Sequence, residues 1–317
     1  MADSTMNTIH LVRPELQAFV RDNPIPQMTA ERLAIIREAP TIAYPPPPEA
    51  PVTVEERTIQ GPDGQHLRLL VYRPIEHGGP LPAILHVHGG GMVVGQPEMS
   101  DPENRLLSAA LPAVIVSVDY RLAPEHPFPA PLEDCYSALA WLNDQAAALS
   151  VDTTRIVIKG ESAGGGIAAG LALLARDRGE VPVVFQCLTY PMIDDRPPAD
   201  PHPLTGEFVW SAASNRFGWA CYLGEEPGGP NVSPYAAPAR AIDLAGLPAT
   251  LIIVPTLDIF LEEDLEYTRR LTRAGVPVEL IVYPGAYHGF HMAGDTELHR
   301  RYTRDVLTAL KAAVGHD

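Results

Sequence analysis

The sequence predicts an α/β protein with a mostly parallel eight-stranded sheet flanked by helices, and with a helical cap. The main observation is a set of six short apolar runs rich in β-branched residues, at 83–87, 113–118, 155–158, 183–188, 249–254 and 278–282. Such runs are typical of strands buried on both faces of a parallel sheet. Helix-like stretches lie between them, and this alternation favours helices on both sides of the sheet.

Two short helices are predicted ahead of the sheet. Residues 14–20 and 28–38 have apolar residues at helical spacing, and Thr29 stands where an N-cap is expected. The segment 40–51 contains four consecutive prolines, Pro45 to Pro48. It cannot be a helix or a central strand, because proline lacks the N–H donor. We interpret it as an extended linker.

A hairpin is predicted after this linker. Residues 52–59 and 66–72 alternate partially between apolar and polar residues, and Gly61-Pro62-Asp63-Gly64 lies between them. These two strands bring the predicted sheet to eight. The helices expected between the later strands lie at 132–149, 163–178, 261–274 and 297–314.

One interval breaks the alternation of strand and helix. Residues 194–246 are proline-rich at first, contain Trp210, Phe217 and Trp219, and show no strand pattern. We interpret the interval as an insertion that forms a cap together with the N-terminal helices. The chain then divides into 1–50 (N-terminal cap helices and linker), 51–193 with 247–317 (catalytic domain) and 194–246 (cap insertion).

Composition narrows the possible partners and locations. The formal charge is −16 and the 23 Lys and Arg residues form no basic patch, so nucleic acid and anionic membrane surfaces would repel the protein. No apolar stretch approaches the roughly 20 residues needed to span a bilayer, and we find no signal-peptide pattern. Cys135, Cys187 and Cys221 lack zinc-ligand spacing. We expect free thiols, a cytoplasmic location and no metal site.

The strongest chemical signal is Gly160-Glu161-Ser162-Ala163-Gly164 between a predicted strand and a predicted helix. This is the G-x-S-x-G nucleophile elbow in the setting that it requires. The tight turn needs glycine two residues on either side of the serine, where a side chain would clash. The hydroxyl of Ser162 then lies at a helix N-terminus, where the dipole favours developing negative charge.

A second signal is His88-Gly89-Gly90-Gly91, directly after the strand 83–87. Three glycines could form a simple flexible turn. Their position before the elbow favours instead a loop whose N–H groups, with that of Ala163, stabilise the oxyanion of the substrate. We expect His88 to have a structural role.

The serine needs a base, and the base needs an acid that orients it. Asp258 follows the strand 249–254 and His288 follows the strand 278–282, in the expected chain order. His291 is a competing base. Glu262, Glu263 and Asp264 are competing acids, although we expect them to begin the next helix.

Together these residues resemble the hormone-sensitive-lipase-like, or bacterial family IV, carboxylesterases of the α/β-hydrolase superfamily. The resemblance rests on the motif of residues 88–91, the segment 119–130 (DYRLAPEHPFPA), the elbow, Leu257-Asp258 and His288-Gly289-Phe290. It implies a Ser162–Asp258–His288 triad, an oxyanion hole from Gly90, Gly91 and Ala163, a helical cap, and no metal or organic cofactor. It also implies cis peptide bonds at Ala123-Pro124 and Phe128-Pro129.

Three departures from the family pattern stand out. The elbow has Glu161 where Asp is commoner, Met92 follows the glycines where similar proteins often have an aromatic residue, and 259–262 reads Ile-Phe-Leu-Glu where relatives often have Pro-Leu-x-Asp. We expect Met92, Trp210 and Phe290 to contact the substrate.

The resulting prediction is a cytoplasmic serine carboxylesterase that hydrolyses short- to medium-chain acyl esters through an acyl-enzyme. A homodimer that pairs through the strand 278–282 is a further hypothesis. An amide or formamide hydrolase and an acyltransferase could use the same triad. A non-catalytic ligand receptor is the alternative from another class, but relatives of that kind lack the histidine found here at position 288.

Overall fold

The computed structural model describes residues 8–38 and 48–315. Most of the predicted linker therefore lies outside the described residues. The sheet has eight strands, each at a position that the sequence predicts: β1 Val52–Gln60, β2 His66–Pro74, β3 Leu81–Val87, β4 Val114–Asp119, β5 Val151–Glu161, β6 Phe185–Thr189, β7 Ala249–Pro255 and β8 Val278–Tyr283.

The strand order is β1-β2-β4-β3-β5-β6-β7-β8. Strand β2 pairs antiparallel with both β1 and β4, and all remaining pairs are parallel. Strand β5, which leads to the elbow, is therefore central. The carboxyl ends of β5, β7 and β8 lie at the same edge of the sheet, where catalytic groups of parallel sheets gather.

The helices of the described chain are α1 Pro14–Asp22, α2 Ala30–Glu38, α3 Asp101–Ala110, α4 Ala130–Asp144, α5 Ala146–Leu149, α6 Ala163–Arg178, α7 Ala212–Leu223, α8 Leu261–Arg273 and α9 Glu297–Val314. Alternate strand residues enter two separate cores. Ile156 and Ile158 pack with residues of α4 and α6, whereas Val157 packs with residues of α9. Both faces of the sheet are therefore covered, and this burial explains the apolar runs in the sequence, as predicted.

Some boundaries differ from the predicted ones. Residues 132–149 form two helices, because the chain leaves the helical conformation at Gln145. Helix α3 was not anticipated: Asn104 and Ser108 lie on its buried side, and these polar residues interrupt the apolar pattern. Strand β5 begins at Val151, four residues before the apolar run.

The excursion between β6 and β7 contains helix α7 and no strand, as predicted. The N-terminal segment contacts it directly: the backbone N–H of Thr8 donates to Glu207, and that of Met28 donates to Ser214 Oγ. Arg37 of α2 donates to the carbonyls of Val93 and Ala123. The N-terminal helices therefore lie between the excursion and the loop after β3.

Both predicted cis peptide bonds, Ala123-Pro124 and Phe128-Pro129, are cis.

Candidate active site

Ser162 lies between the last residue of β5 and the first residue of α6. Its φ of 56° and ψ of −125° are unusual for a residue with a side chain. The flanking glycines allow the tight turn: a Cβ atom on Gly160 would lie 2.3 Å from the carbonyl oxygen of Gly164, and one on Gly164 would lie 2.1 Å from that of Val87. The glycines of the motif are thus required by close backbone contacts.

The structure brings the three predicted triad residues together. The Oγ atom of Ser162 lies 2.8 Å from Nε2 of His288, and Nδ1 of His288 lies 2.7 Å from Oδ2 of Asp258. All three residues are buried. The carboxylate accepts from Nδ1–H, which leaves Nε2 free to accept the serine proton. Asp258 is itself oriented by the backbone N–H of Phe260, which donates to Oδ1 at 3.0 Å.

The competing histidine lies elsewhere. His291 accepts a hydrogen bond from the hydroxyl of Tyr190 through Nδ1 at 2.8 Å, and it stacks on the rings of Tyr190 and Tyr302. Burial lowers its pKa to about 4. Its hydrogen bond and ring contacts are thus with these tyrosines, whereas the Ser162 hydroxyl is hydrogen-bonded to His288.

The three competing acids begin helix α8, as expected, but they differ in their surroundings. Glu263 accepts from the backbone N–H groups of Ile193 and Asp194. Asp264 is fully buried, and neither of its carboxylate oxygens has a hydrogen-bond partner among the described residues. Burial raises the pKa of both groups well above the usual range. Carboxyl groups with a raised pKa are poorer partners for a catalytic histidine, and of the four acids in the described chain Asp258 is the one hydrogen-bonded to the His288 ring.

The glycine loop lies against the elbow. A Cβ atom on Gly89 would lie 3.1 Å from the carbonyl oxygen of Glu161 and 3.4 Å from Cβ of Ser162. Gly90 and Gly91 have φ angles of +123° and +61°, which favour glycine. Over the described ranges, the N–H groups of Gly90, Gly91 and Ala163 donate no hydrogen bond to protein. These three N–H groups are therefore without a protein acceptor in the described chain.

His88 has the structural role expected of it. Its ring stacks on Tyr120 with 4.3 Å between centroids, and Nδ1–H donates to the carbonyl of Gly89. Burial lowers its pKa to about 4, so the ring is neutral at pH 7. The hydroxyl of Tyr120 donates to the carbonyl of His88 at 2.8 Å. These contacts fix the start of the glycine loop.

The three predicted substrate contacts have different positions. The Trp210 ring lies over Gly91, with 6.5 Å between its centroid and that of His288. Met92 is fully buried, directly after the glycine loop. Phe290 packs edge-on against Tyr190, Tyr283 and Tyr302 in the second core. The chain turns inward after Gly289, which gives Phe290 a core position instead of a place beside the serine.

Tyr190 is a residue of the site that was not expected from the sequence. Its ring lies 4.5 Å from that of His288, and its φ of 36° is rare for a tyrosine. The residue directly follows β6, so its position at the carboxyl edge of the sheet was the only available signal. Nor was it expected from the sequence that Lys159 and Glu161 form a buried ion pair next to Ser162.

The described residues contain neither a cluster of metal ligands nor a membrane-spanning helix. No group of three or more His, Cys, Asp or Glu side chains there is arranged to hold a metal ion. Among the helices of residues 8–38 and 48–315, none has both the length and the apolar composition needed to cross a membrane.

A sheet of this topology, with a serine on a strained turn and hydrogen bonds from that serine through a histidine to a buried aspartate, is found in a single broad class. The class is that of the serine hydrolases with the α/β-hydrolase fold.

The comparisons with known proteins define the family. The chain belongs to the family described as having the alpha/beta hydrolase fold, whose model matches residues 84–292. Carboxylesterase NlhH of Mycobacterium tuberculosis is 35% identical over 284 residues, which are 88% of each chain. A bacterial heroin esterase has a TM-score of 0.86 and 35% identity over 97% of this chain and 99% of its own. Esterase LipW of Mycobacterium marinum has a TM-score of 0.86 and 33% identity over 97% of each.

Within this family the chain is a carboxylesterase of the hormone-sensitive-lipase-like group, and thus a carboxylic ester hydrolase that uses a serine mechanism. The resemblance carried by the sequence motifs is confirmed.

Proposed function

We propose that Ser162 is the nucleophile, His288 the general base and Asp258 the acid that orients the base. The observation that carries this proposal is the continuous hydrogen-bonded chain of 2.8 and 2.7 Å from Ser162 Oγ to Asp258 Oδ2. Each distance lies within the reach required for proton transfer or orientation.

The reaction follows from these contacts. Ser162 Oγ attacks the carbonyl carbon of the ester while its proton passes to His288 Nε2. The tetrahedral intermediate then expels the alcohol, which takes the proton from His288, and the acyl group remains on Ser162. Water, deprotonated by the same nitrogen, attacks the acyl-enzyme and releases the carboxylic acid. Asp258 stabilises the imidazolium in both halves and retains its own charge.

The oxyanion of each intermediate is placed, in this proposal, among the N–H groups of Gly90, Gly91 and Ala163. The support is that all three donors are free of protein acceptors in the described chain. A preorganised donor of this kind typically contributes about 2.7 to 4 kcal/mol to transition-state stabilisation. Ala163 also begins α6, so the positive end of the helix dipole faces the developing charge.

We propose that Trp210 limits the acyl chain to short and medium lengths. Its indole packs over Gly91 and near His288, and Ser162 has only 7% of its surface exposed. A long chain would have to displace the ring. Met92 lies under the glycine loop and is assigned to the floor of the pocket. Phe290 is left out of the proposed pocket because of its core position.

The proposed cap consists of residues 1–50 and 194–246, over a catalytic domain of 51–193 and 247–317. In support, a cleft of about 1440 Å³ lies between residues of the excursion, including α7, and helix α8. None of the three triad residues lines this cleft. Open space thus separates part of the excursion from α8, which supports its description as a separate unit.

Three further predictions complete the proposal. The predicted cytoplasmic location is supported by the cysteines, all three of which are free thiols. A homodimer would form through β8, which within residues 8–38 and 48–315 is an edge strand of the sheet and pairs only with β7. The absence of nucleic-acid binding depends on the net charge of −16. The substrate itself is a small acyl ester.

Replacement of the nucleophile tests the proposal. We expect Ser162→Ala to abolish hydrolysis of p-nitrophenyl butyrate, whereas Ser233→Ala, which changes a serine of the excursion, leaves turnover near that of the wild type. A serine-directed phosphonate should label Ser162 stoichiometrically, as read by mass spectrometry of the modified peptide. Substantial turnover by Ser162→Ala would refute the assignment. Matched ester and amide substrates measured in parallel separate an esterase from an amidase.

A further inference from the structure

A row of polar side chains crosses the interior of the sheet close to the nucleophile. Ser117, His86, Lys159 and Cys187 lie opposite one another on β4, β3, β5 and β6. All four are buried in a sheet whose other central positions are mostly apolar. Burial of a polar group is unfavourable unless it is hydrogen-bonded, and burial of a charge is more so. The row is therefore a departure from the apolar pattern that calls for a physical cause.

Glu161, which lies between Gly160 and Ser162, is the shared partner of two residues of this row, Lys159 and His86. Its Oε1 accepts from Nζ of Lys159, and its Oε2 accepts from Nε2–H of His86 at 3.0 Å. Nδ1 of His86 in turn accepts from the hydroxyl of Ser117 at 2.8 Å. Because a carboxylate can only accept, Nε2 of His86 carries the hydrogen in its contact with Glu161. Both oxygens of the Glu161 carboxylate are thus bound to side chains of β3 and β5.

The charges of this cluster balance. Burial alone would raise the pKa of Glu161, but Lys159 and His86 lower it well below its usual range. Burial alone would lower the pKa of Lys159, but Glu161 raises it above its usual range. The pair is therefore ionised at neutral pH. Removal of one partner would leave an uncompensated buried charge, which is strongly destabilising.

The backbone of Glu161 connects this cluster to the catalytic groups. Glu161 pairs with Thr189 of β6, and the carbonyl of Thr189 accepts from the N–H of Ser162 at 2.9 Å. The carbonyl of Glu161 is also the backbone atom nearest to a Cβ built on Gly89 of the glycine loop. Glu161 therefore lies between the nucleophile and the loop that carries two proposed oxyanion donors.

Ser162 needs such support because of its conformation. Its φ of 56° is sparsely populated by residues with a side chain. Backbone of this kind persists only where the surrounding structure over-determines it. A carboxylate bound at both oxygens, one residue before the serine, supplies that constraint from the side opposite to the helix.

We propose that Glu161, bound by Lys159 and His86, is a positioning residue that sets the place of the Ser162 hydroxyl relative to His288 and the oxyanion donors. The inference rests on the proposed role of Ser162 as nucleophile. Glu161 exchanges no proton with the substrate and makes no contact with it. Its effect is on the rate at which Ser162 is acylated.

A cycle of variants separates positioning from stability. Lys159→Met and Glu161→Gln each leave one buried partner alone, and the double variant removes both charges. We expect each single variant to lower both the melting temperature and kcat, the latter by about 10- to 100-fold, as expected for a misplaced reacting group. KM should change less than about threefold. The double variant should regain most of the melting temperature and keep the low kcat, because the charge imbalance is gone and the constraint on Glu161 is not restored.

Gln186→Leu is the matched control. It breaks an equally buried hydrogen bond, from Gln186 to Thr250 Oγ1 at 2.9 Å, one residue along the chain from Cys187. We expect a lower melting temperature with an unchanged kcat. Recovery of kcat together with melting temperature in the double variant would overturn the proposal, because Lys159 and Glu161 would then be purely structural.

The rate of phosphonate labelling separates this inference from the proposed function. Labelling of the wild-type protein at a residue other than Ser162 would refute the nucleophile assignment itself. Labelling at Ser162 with the same rate constant in the wild type and in all three variants would refute only the positioning role. We expect labelling at Ser162, slowed about 10- to 100-fold in the single and double variants and unchanged in Gln186→Leu.

Discussion

The indole ring of Trp210 packs directly on Gly91. A Cβ atom on this glycine would lie 2.3 Å from Cη2 of the ring, and its φ of +61° disfavours any other residue. Trp210 belongs to the excursion between β6 and β7, whereas Gly91 belongs to the loop after β3. The contact therefore links the proposed cap to a proposed oxyanion donor, and both sides of it can be tested.

Gly91→Ala should lower kcat by about 100- to 1000-fold. The added methyl overlaps the indole and strains the backbone, so the N–H group of residue 91 moves away from the oxyanion, and loss of one such donor has this effect. Steady-state kinetics with p-nitrophenyl butyrate measures it. Gly78→Ala is the control, since a Cβ atom there has no neighbour within 4 Å. A Gly91→Ala enzyme with normal kcat would remove Gly91 from the oxyanion hole.

Trp210→Ala should shift the acyl preference toward longer chains, because the ring no longer fills the space above Gly91. We expect kcat/KM for p-nitrophenyl octanoate to rise relative to that for the acetate by about tenfold or more, as expected for a chain of several methylenes newly accommodated in an apolar pocket. A chain-length series from acetate to dodecanoate measures the shift. Trp141→Ala, on helix α4, should leave the preference unchanged. An unaltered series in Trp210→Ala would contradict the proposed pocket.

Asp258→Asn should lower kcat by about 10⁴-fold with little change in fold, because the amide favours the wrong tautomer of His288. The matched control is Asp264→Asn. Asp264 is equally buried but has no hydrogen-bond partner among the described residues, and burial keeps it neutral. An amide is close in shape to a neutral acid, so we expect kcat within about threefold of the wild type. A large loss in Asp264→Asn would mean that a second acid takes part in catalysis.

His291→Phe should change the pH dependence of stability. Burial lowers the folded-state pKa of His291 to about 4, from the ordinary histidine value of 6.5. As the pH falls, the unfolded chain therefore binds the proton before the folded chain does. The contribution of His291 to the free energy of unfolding is therefore complete above about pH 6.5. It is lost between pH 6.5 and pH 4, at up to about 1.4 kcal/mol per pH unit. Urea denaturation at pH 7 and pH 5 should show the wild type losing more stability on acidification than His291→Phe. Equal losses of stability in the two proteins would contradict a neutral His291 in the folded state.

Asp264→Asn should show the opposite sign in the same assay. Burial raises the folded-state pKa of Asp264 above the ordinary aspartate value of 3.8. As the pH rises, the folded chain therefore keeps this proton while the unfolded chain loses it. The wild type then becomes less stable relative to Asp264→Asn as pH rises above about 4. A relative stability independent of pH would mean that the carboxyl group is solvated or paired in solution.

Several features of the site were readable because their chemistry is local. The elbow and the glycine loop need glycine at fixed positions, since backbone atoms approach within contact distance there. The strands were readable because both faces of the sheet are buried, which leaves continuous apolar runs. Helix α3 was missed because the polar residues Asn104 and Ser108 occupy its buried side.

Other features depend on residues that are distant in the chain. The sequence proposed Asp258 over Glu262, Glu263 and Asp264 from its place after a strand. The contact with His288 separates these acids: Asp258 accepts from the His288 ring, whereas Glu263 accepts from backbone N–H groups and Asp264 has no hydrogen-bond partner among the described residues. Phe290 looked like a substrate contact from its place next to the catalytic loop, and the turn at Gly289 gives it a core position.

By itself the sequence determined the strands, most of the helices, the family and a candidate triad of Ser162, Asp258 and His288, with three neighbouring acids left as competitors for Asp258. Local backbone geometry, apolar periodicity and the order of motifs along the chain carry this information directly. The tertiary structure alone decided which acid contacts His288, that Trp210 covers Gly91, and that Lys159, Glu161 and His86 form one buried cluster. These relationships arise from strand register and from packing between segments up to about 120 residues apart (210 minus 91), and no local pattern encodes such distances.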